Sequence, residues 1–197
     1  GRTWDLLIPR EKYHAALPDD NSFEAPLPGA ASATLPLDLN ALHKASGSTG
    51  VLAYTPWGNT LTTDFALAAI DGEDLGADSI TDLLAISYSP PDILGHRMGP
   101  RALEIEDMYL RLDQDIARLL EELDKRVGQG RYTVFLTADH AAPDVPAYLD
   151  SLQGSALSGG SLSGIFDGTI EIREGIPDGK LRVRGIPTPL GTAGADL

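Results

Sequence analysis

Residues 102–127 carry Ile105, Met108, Tyr109, Leu112, Ile116, Leu119, Leu120, Leu123 and Val127 at steps of 3, 1, 3, 4, 3, 1, 3 and 4. That spacing keeps all nine on one stripe of a 3.6-residue helix. A stripe this long must lie on another layer of structure, and the flanks say which kind. Before it runs Asp82-Leu83-Leu84-Ala85-Ile86-Ser87-Tyr88, ended by Ser89-Pro90-Pro91; after Gly128 and Gly130 comes Tyr132-Thr133-Val134-Phe135-Leu136-Thr137. Both runs are apolar through their centres and do not alternate, which predicts strands covered on both faces. Strand, long helix, strand predicts a right-handed βαβ unit with parallel strands.

The rest of the chain is organised around that unit. Residues 1–50 are punctuated by Pro, as in Leu17-Pro18-Asp19-Asp20-Asn21 and Ala25-Pro26-Leu27-Pro28-Gly29, and predict turns and a cap-like or irregular segment. Leu61, Phe65, Ala68 and Ala69 recur at helical spacing and Asp71-Gly72 supplies a stop, so a helix is expected near 60–70. Residues 51–150 form the α/β core portion. From 151 to 197 a Gly/Ser-rich connection, Gly154 to Ser161, leads to Thr169–Arg173 and Lys180–Arg184 around Pro177-Asp178-Gly179, which predicts a C-terminal antiparallel β-hairpin. The expected fold class is α/β, a mainly parallel sheet with flanking helices plus that hairpin.

Composition narrows the chemistry. With 15 Lys+Arg against 29 Asp+Glu the formal charge is −14, a field that repels nucleic acid and anionic lipid at long range. A phosphate group can be held here only where local cations invert that field. The sequence has no Cys, so any metal must be taken by His, Asp, Glu or backbone oxygen. No run approaches the ~18 apolar residues of a membrane span. The opening Gly1-Arg2-Thr3 lacks an initiator Met, a basic region and an apolar region, and reads as an excised piece or processed product.

In a parallel α/β sheet ligands collect beyond the carboxyl ends of the strands. After the first predicted strand come Asp92 and His96, and after the second come Asp139 and His140. Each strand thus delivers one carboxylate and one imidazole, donors suited to zinc. Read singly, Asp139 is equally a turn cap and His140 a loop residue, and Asp92 and His96 are ordinary loop residues. Their joint placement raises a metal site level with that reading and no further. His14 and His43 precede the unit and read as surface residues, and Thr60 reads as a helix entry.

The stretch Ser87-Tyr88-Ser89-Pro90-Pro91-Asp92-Ile93-Leu94-Gly95-His96-Arg97-Met98-Gly99-Pro100, followed by Glu104, Asp107, Tyr109, Arg111-Leu112-Asp113 and Phe135-Leu136-Thr137-Ala138-Asp139-His140, resembles the alkaline phosphatase superfamily. It is most similar to the bacterial phosphomonoesterase branch with a threonine nucleophile, next to the nucleotide pyrophosphatase/phosphodiesterases. Thr55-Pro56-Trp57-Gly58-Asn59 and Asp64-Phe65-Ala66 extend the resemblance, which covers about residues 50–150.

The resemblance implies an incomplete alkaline-phosphatase-like core in which Asp92 and His96 bind one zinc ion and Asp139 and His140 a second. It implies a parent protein that hydrolyses small phosphate esters through a covalent phosphoenzyme, in the periplasm or secreted. The family's nucleophile and a further Asp ligand lie N-terminal to these motifs and a third His ligand lies C-terminal. None is found here, so no catalytic residue is assigned within the chain, and the chain alone is expected to be inactive. Ala141 stands where the family usually has Gly after Asp-His. Alternatives are a noncatalytic fragment or degenerate homologue that serves as scaffold or weak metal-binding module, and a sulfatase-like or phosphomutase-like member. Substrate identity and oligomeric state are not legible.

Overall fold

A computed structural model describes residues 2–153 and the short segments 171–173, 182–184 and 195–196. The chain divides into two compact units, Gly1–Pro143 and Asp144–Leu197.

In the first unit β1 (Thr3–Trp4) pairs antiparallel with β2 (Leu37–Asp38), Trp4 opposite Leu37. Asp38 then caps α1 (Leu39–Ser46), its side chain accepting from the backbone N–H of Asn40 and Ala41. Helix α2 (Pro56–Gly72) starts a turn earlier than the 60–70 expected. The cause is Pro56, whose fixed φ suits the first turn and whose missing N–H is not needed there. Helix α3 spans Pro90–Met98 and α4 Leu103–Leu123. The long stripe lies on α4 as its spacing predicts, except Val127, which falls in a π-helical turn over Asp124–Gly128 after the helix: α4 packs on α2 and α3 and buries Ile105, Met108, Leu112 and Leu119, while Tyr109 is exposed.

The predicted βαβ unit is not formed. Segments 82–88 and 132–137, before and after α4 in the chain, carry no regular secondary structure and pair with no strand, and the ladder β1–β2 is the sheet among the described residues of this unit. A strand buried on both faces needs two covering layers and two neighbours. Here Ile86 reaches the cluster of Leu67, Ile70 and Leu119 on one side, whereas Leu83, Phe135 and Leu136 are 92%, 90% and 80% exposed. The residues are strand-like in composition, and what is missing is the partner.

Residues 1–50 join the principal core. Trp4, Leu27, Leu37 and Leu42 pack with Leu94, Met98, Ile105 and Met108. Two acids of α4 hold this segment down. Glu106 accepts from the backbone N–H of His14, Ala15 and Ala16, and the completely buried Asp107 accepts from Trp4 Nε1, Tyr13 Oη, Leu7 N and Arg111 Nε.

A third acid of the same turn, Glu104, is also completely buried, and neither of its oxygens has a hydrogen-bond partner. Burial, reinforced by Glu24 and Asp19, pushes its carboxyl up to about 8, and burial pushes Glu24 up to about 7. A carboxyl raised on folding is protonated in the native state while the unfolded chain has already lost that proton. Stability from these groups is therefore complete below the unfolded value near 4.5 and is lost as pH rises towards about 8. Without divalent cations, the urea midpoint is expected to fall across that window, and Glu104→Gln is expected to flatten the fall; an equal slope in the variant would contradict this account.

In the second unit α5 spans Pro146–Gln153. Strand β3 (Glu171–Arg173) pairs antiparallel with β4 (Arg182–Arg184), Ile172 opposite Val183, and β4 pairs with β5 (Ala195–Asp196). The turn at Pro177-Asp178-Gly179 and the Gly/Ser-rich stretch lie outside the described residues.

Candidate metal centre

The segment after Tyr88 is a helix, not the loop expected from its Pro and Gly content. Pro90 and Pro91 occupy the first turn of α3, where two missing N–H groups cost no helical bond. Gly99 ends it at φ 83°, a left-handed conformation that favours glycine. This places Asp92 and His96 four residues apart on one exposed helix face, with His96 Nε2 3.4 Å from Asp92 Oδ1.

The second pair arrives from the turn after segment 132–137. The backbone N–H of His140 donates to Asp139 Oδ1 at 3.1 Å, and Nδ1 of its ring lies 3.2 Å from the carbonyl of Ala141. A carbonyl can only accept, so this contact is a hydrogen bond in the tautomer that carries a proton on Nδ1, the tautomer that leaves Nε2 to a ligand. That Nε2 lies 3.7 Å from Asp92 Oδ1 and 3.6 Å from Asp139 Oδ2. Asp92 is thus the hub: one oxygen faces both imidazoles, while Asp139 reaches His140 alone.

A lone pair facing a carboxylate oxygen needs a positive charge between them, either a proton or a metal ion. Bonds of ~2.0–2.1 Å to a tetrahedral zinc put neighbouring donor atoms ~3.3 Å apart, and the 3.4–3.7 Å separations at Asp92 come close to that edge. The donor types and spacing therefore fit zinc as part of a ligand set. They do not complete one: among the described residues no group of three or more His, Asp or Glu is arranged to hold an ion. The four side chains are 49–90% exposed, which leaves room for further ligands.

His14 and His43 are exposed and stand outside this arrangement. Thr60 lies within the second turn of α2, not at its entry, and its hydroxyl donates to Asp115 Oδ2 at 2.9 Å. The group that sequence reasoning missed is the Ala141 carbonyl, which fixes the His140 ring. No side-chain signal could have marked it, because every residue carries a carbonyl.

Residues 11–159 match the sequence profile of the family described as type I phosphodiesterase / nucleotide pyrophosphatase. Among curated relatives, "Calcium-transporting ATPase" of Myroides odoratus is 43% identical over 166 residues, covering 83% of this chain and 29% of that protein. "Alkaline phosphatase PafA" of Elizabethkingia meningoseptica is 44% identical over 140 residues, covering 71% of this chain and 25% of that one. The crystal structure of wild-type alkaline phosphatase PafA superposes with a TM-score of 0.72 at 39% identity, over 77% of this chain and 29% of that chain. The chain therefore spans less than a third of the length of these relatives.

Proposed function

Since the chain belongs to the type I phosphodiesterase / nucleotide pyrophosphatase family, within the alkaline phosphatase superfamily, we propose that it is the metal-ligand portion of a zinc-dependent phosphate-ester hydrolase. In this reading Asp92 and His96 contribute to one zinc site and Asp139 and His140 to a second, and the nucleophile of a covalent phosphoenzyme lies outside these residues. The observation that carries it is the approach of two imidazole nitrogens to one oxygen of Asp92, from segments 44 positions apart (140 − 96) in a chain without Cys.

When bound, two zinc ions supply Lewis acidity at the attacking and leaving oxygens of an in-line displacement. The chain's own residues do the rest. Asp92 and Asp139 bring the negative charge that an ion would neutralise. With a proton on Nδ1 donated to the Ala141 carbonyl 3.2 Å away, His140 would present Nε2 to the ion. Helix α3 fixes Asp92 and His96 to one rigid face. The phosphate ester is a small molecule, because the net charge of −14 disfavours polyanions. The same family ground supports the reading of a periplasmic or secreted protein; among the described residues no helix is long and apolar enough to cross a membrane.

Four His make the test direct. On zinc titration of the 197-residue chain, the NMR ring signals of His96 and His140 are expected to shift while those of His14 and His43 stay in place. Asp92→Asn is expected to weaken zinc binding at least about tenfold, or ~1.4 kcal/mol. Zinc binding that ignores both Asp92→Asn and His140→Ala would sink the proposal and favour a scaffold without a metal role.

A further inference from the structure

Segment 132–137 is held at both ends and bonded nowhere between them. At its start Arg131 Nη2 donates to the Gly76 carbonyl at 3.4 Å and Tyr132 Oη to Asp124 Oδ1 at 2.7 Å. Just past its end, His140 Nε2 lies 3.7 Å from Asp92 Oδ1. Between these anchors, among the described residues, no backbone N–H or C=O of residues 132–137 takes part in a hydrogen bond. Val134, Phe135 and Leu136 are 53%, 90% and 80% exposed. The anchoring matters, because a segment whose ends are already fixed loses less freedom when it pairs.

The stretch Arg131-Tyr132-Thr133-Val134-Phe135-Leu136-Thr137-Ala138-Asp139 is close to symmetric in character about its centre. Laid antiparallel against a second copy, with the two-fold axis at Phe135, it sets Arg131 opposite Asp139, Thr133 opposite Thr137, Val134 opposite Leu136 and Phe135 opposite itself. Polar meets polar, apolar meets apolar, and unlike charges meet at both ends. A one-residue slip sets Thr133 against Leu136 in one direction and Val134 against Thr137 in the other. A parallel pairing in register sets Arg131 on Arg131 and Asp139 on Asp139. Arg131 makes no ion pair among the described residues, and the Asp139 side chain is 90% exposed beside His140.

We propose that segment 132–137 is the contact through which two copies of this chain form a two-fold dimer, an antiparallel ladder centred on Phe135 and closed by two Arg131–Asp139 ion pairs. A two-fold contact uses the same patch on both copies and therefore closes at two. The ladder satisfies backbone groups that are otherwise unpaired, and each cross-strand side-chain pair adds to it. The charge of −14 on each copy repels at long range. At physiological ionic strength that reach is ~8 Å, and inside it the Arg131–Asp139 pairs attract. The dimer does not depend on the hydrolase reading; it shares Asp139 with the proposed zinc site, so the test is made in EDTA.

The experiment is sedimentation equilibrium of the 197-residue chain in EDTA at physiological ionic strength, with amide hydrogen exchange on the same samples. The expected result is a monomer–dimer equilibrium with a dissociation constant on the order of 10⁻⁵ M. Amide protection within 133–137 should grow with chain concentration, a readout that needs no variant. Arg131→Glu and Asp139→Arg should each weaken the dimer at least about tenfold, because each sets like charges at both ends. Mixed in equal amounts, the two variants again oppose unlike charges and should pair with each other as tightly as the parent does. Lys12→Glu makes the same change in net charge as Arg131→Glu at an exposed position of the N-terminal segment, and should leave the dimer unchanged. A monomer at about 1 mM chain, an Arg131→Glu effect no larger than that of Lys12→Glu, charge variants that fail to pair when mixed, or a dimer without protection within 133–137 would each overturn the proposal.

Discussion

An aryl phosphate offered to the 197-residue chain with excess zinc is expected to be hydrolysed no faster than in zinc-containing buffer. A catalytic zinc takes three protein ligands and keeps one position open, whereas the four residues proposed as ligands would give each of two ions only two. The hydroxyls of α2 are already engaged: Thr60 donates to Asp115, Thr62 to the Gly58 carbonyl, and Thr63 bonds the Tyr88 hydroxyl. Loss of a covalent nucleophile alone removes on the order of 10⁶ from kcat in hydrolases that act through one. A steady-state assay with para-nitrophenyl phosphate checks this. Turnover well above buffer that disappears in His140→Ala would show that a nucleophile and a full ligand set reside in these residues.

Replacement of Asp107 by Ala is expected to cost about 3–5 kcal/mol of folding stability. The carboxylate is completely buried and takes Trp4 Nε1 at 2.7 Å, Leu7 N at 2.7 Å, Tyr13 Oη at 2.5 Å and Arg111 Nε at 2.6 Å. Removing it leaves several donors unsatisfied at once, and one of them is a guanidinium. The loss propagates, because Trp4 anchors the core from β1 and stacks edge-on against Trp57 at 6.5 Å. Urea unfolding followed by Trp fluorescence should show a lower midpoint at unchanged slope. The exposed Asp113 of the same helix is the control, with a change within about 0.5 kcal/mol on truncation. A loss at Asp107 no larger than at Asp113 would mean that the hydrogen-bonded hub contributes nothing.

These two expectations rest on features that the sequence disclosed unequally. The stripe on α4 was legible because periodicity reports a buried face. Periodicity says nothing of acids that flank the stripe, so Glu104, Asp107 and Asp115 came as buried polar groups without warning. Segments 82–88 and 132–137 read as strands but carry no regular secondary structure, because pairing depends on neighbours remote in sequence and no local pattern encodes their presence. The two Asp-His pairs were legible as separate motifs. That Asp92 faces both imidazoles depends on where α3 and the 139–140 turn meet, a tertiary fact. Helix α3 itself was concealed by its prolines, which read as breakers until their place in the first turn is known.

The unpaired edges of segments 82–88 and 132–137 bear on how this chain behaves at high concentration. Backbone with open donors and acceptors, flanked by exposed Leu83, Phe135 and Leu136, is the template on which strands of other molecules add, and the first step of aggregation through sheet edges. What opposes it is the charge of −14, which keeps copies apart at long range. Salt shortens that reach to ~8 Å at physiological ionic strength. Raising the ionic strength is therefore expected to promote self-association of the chain, and light scattering across a salt series checks it.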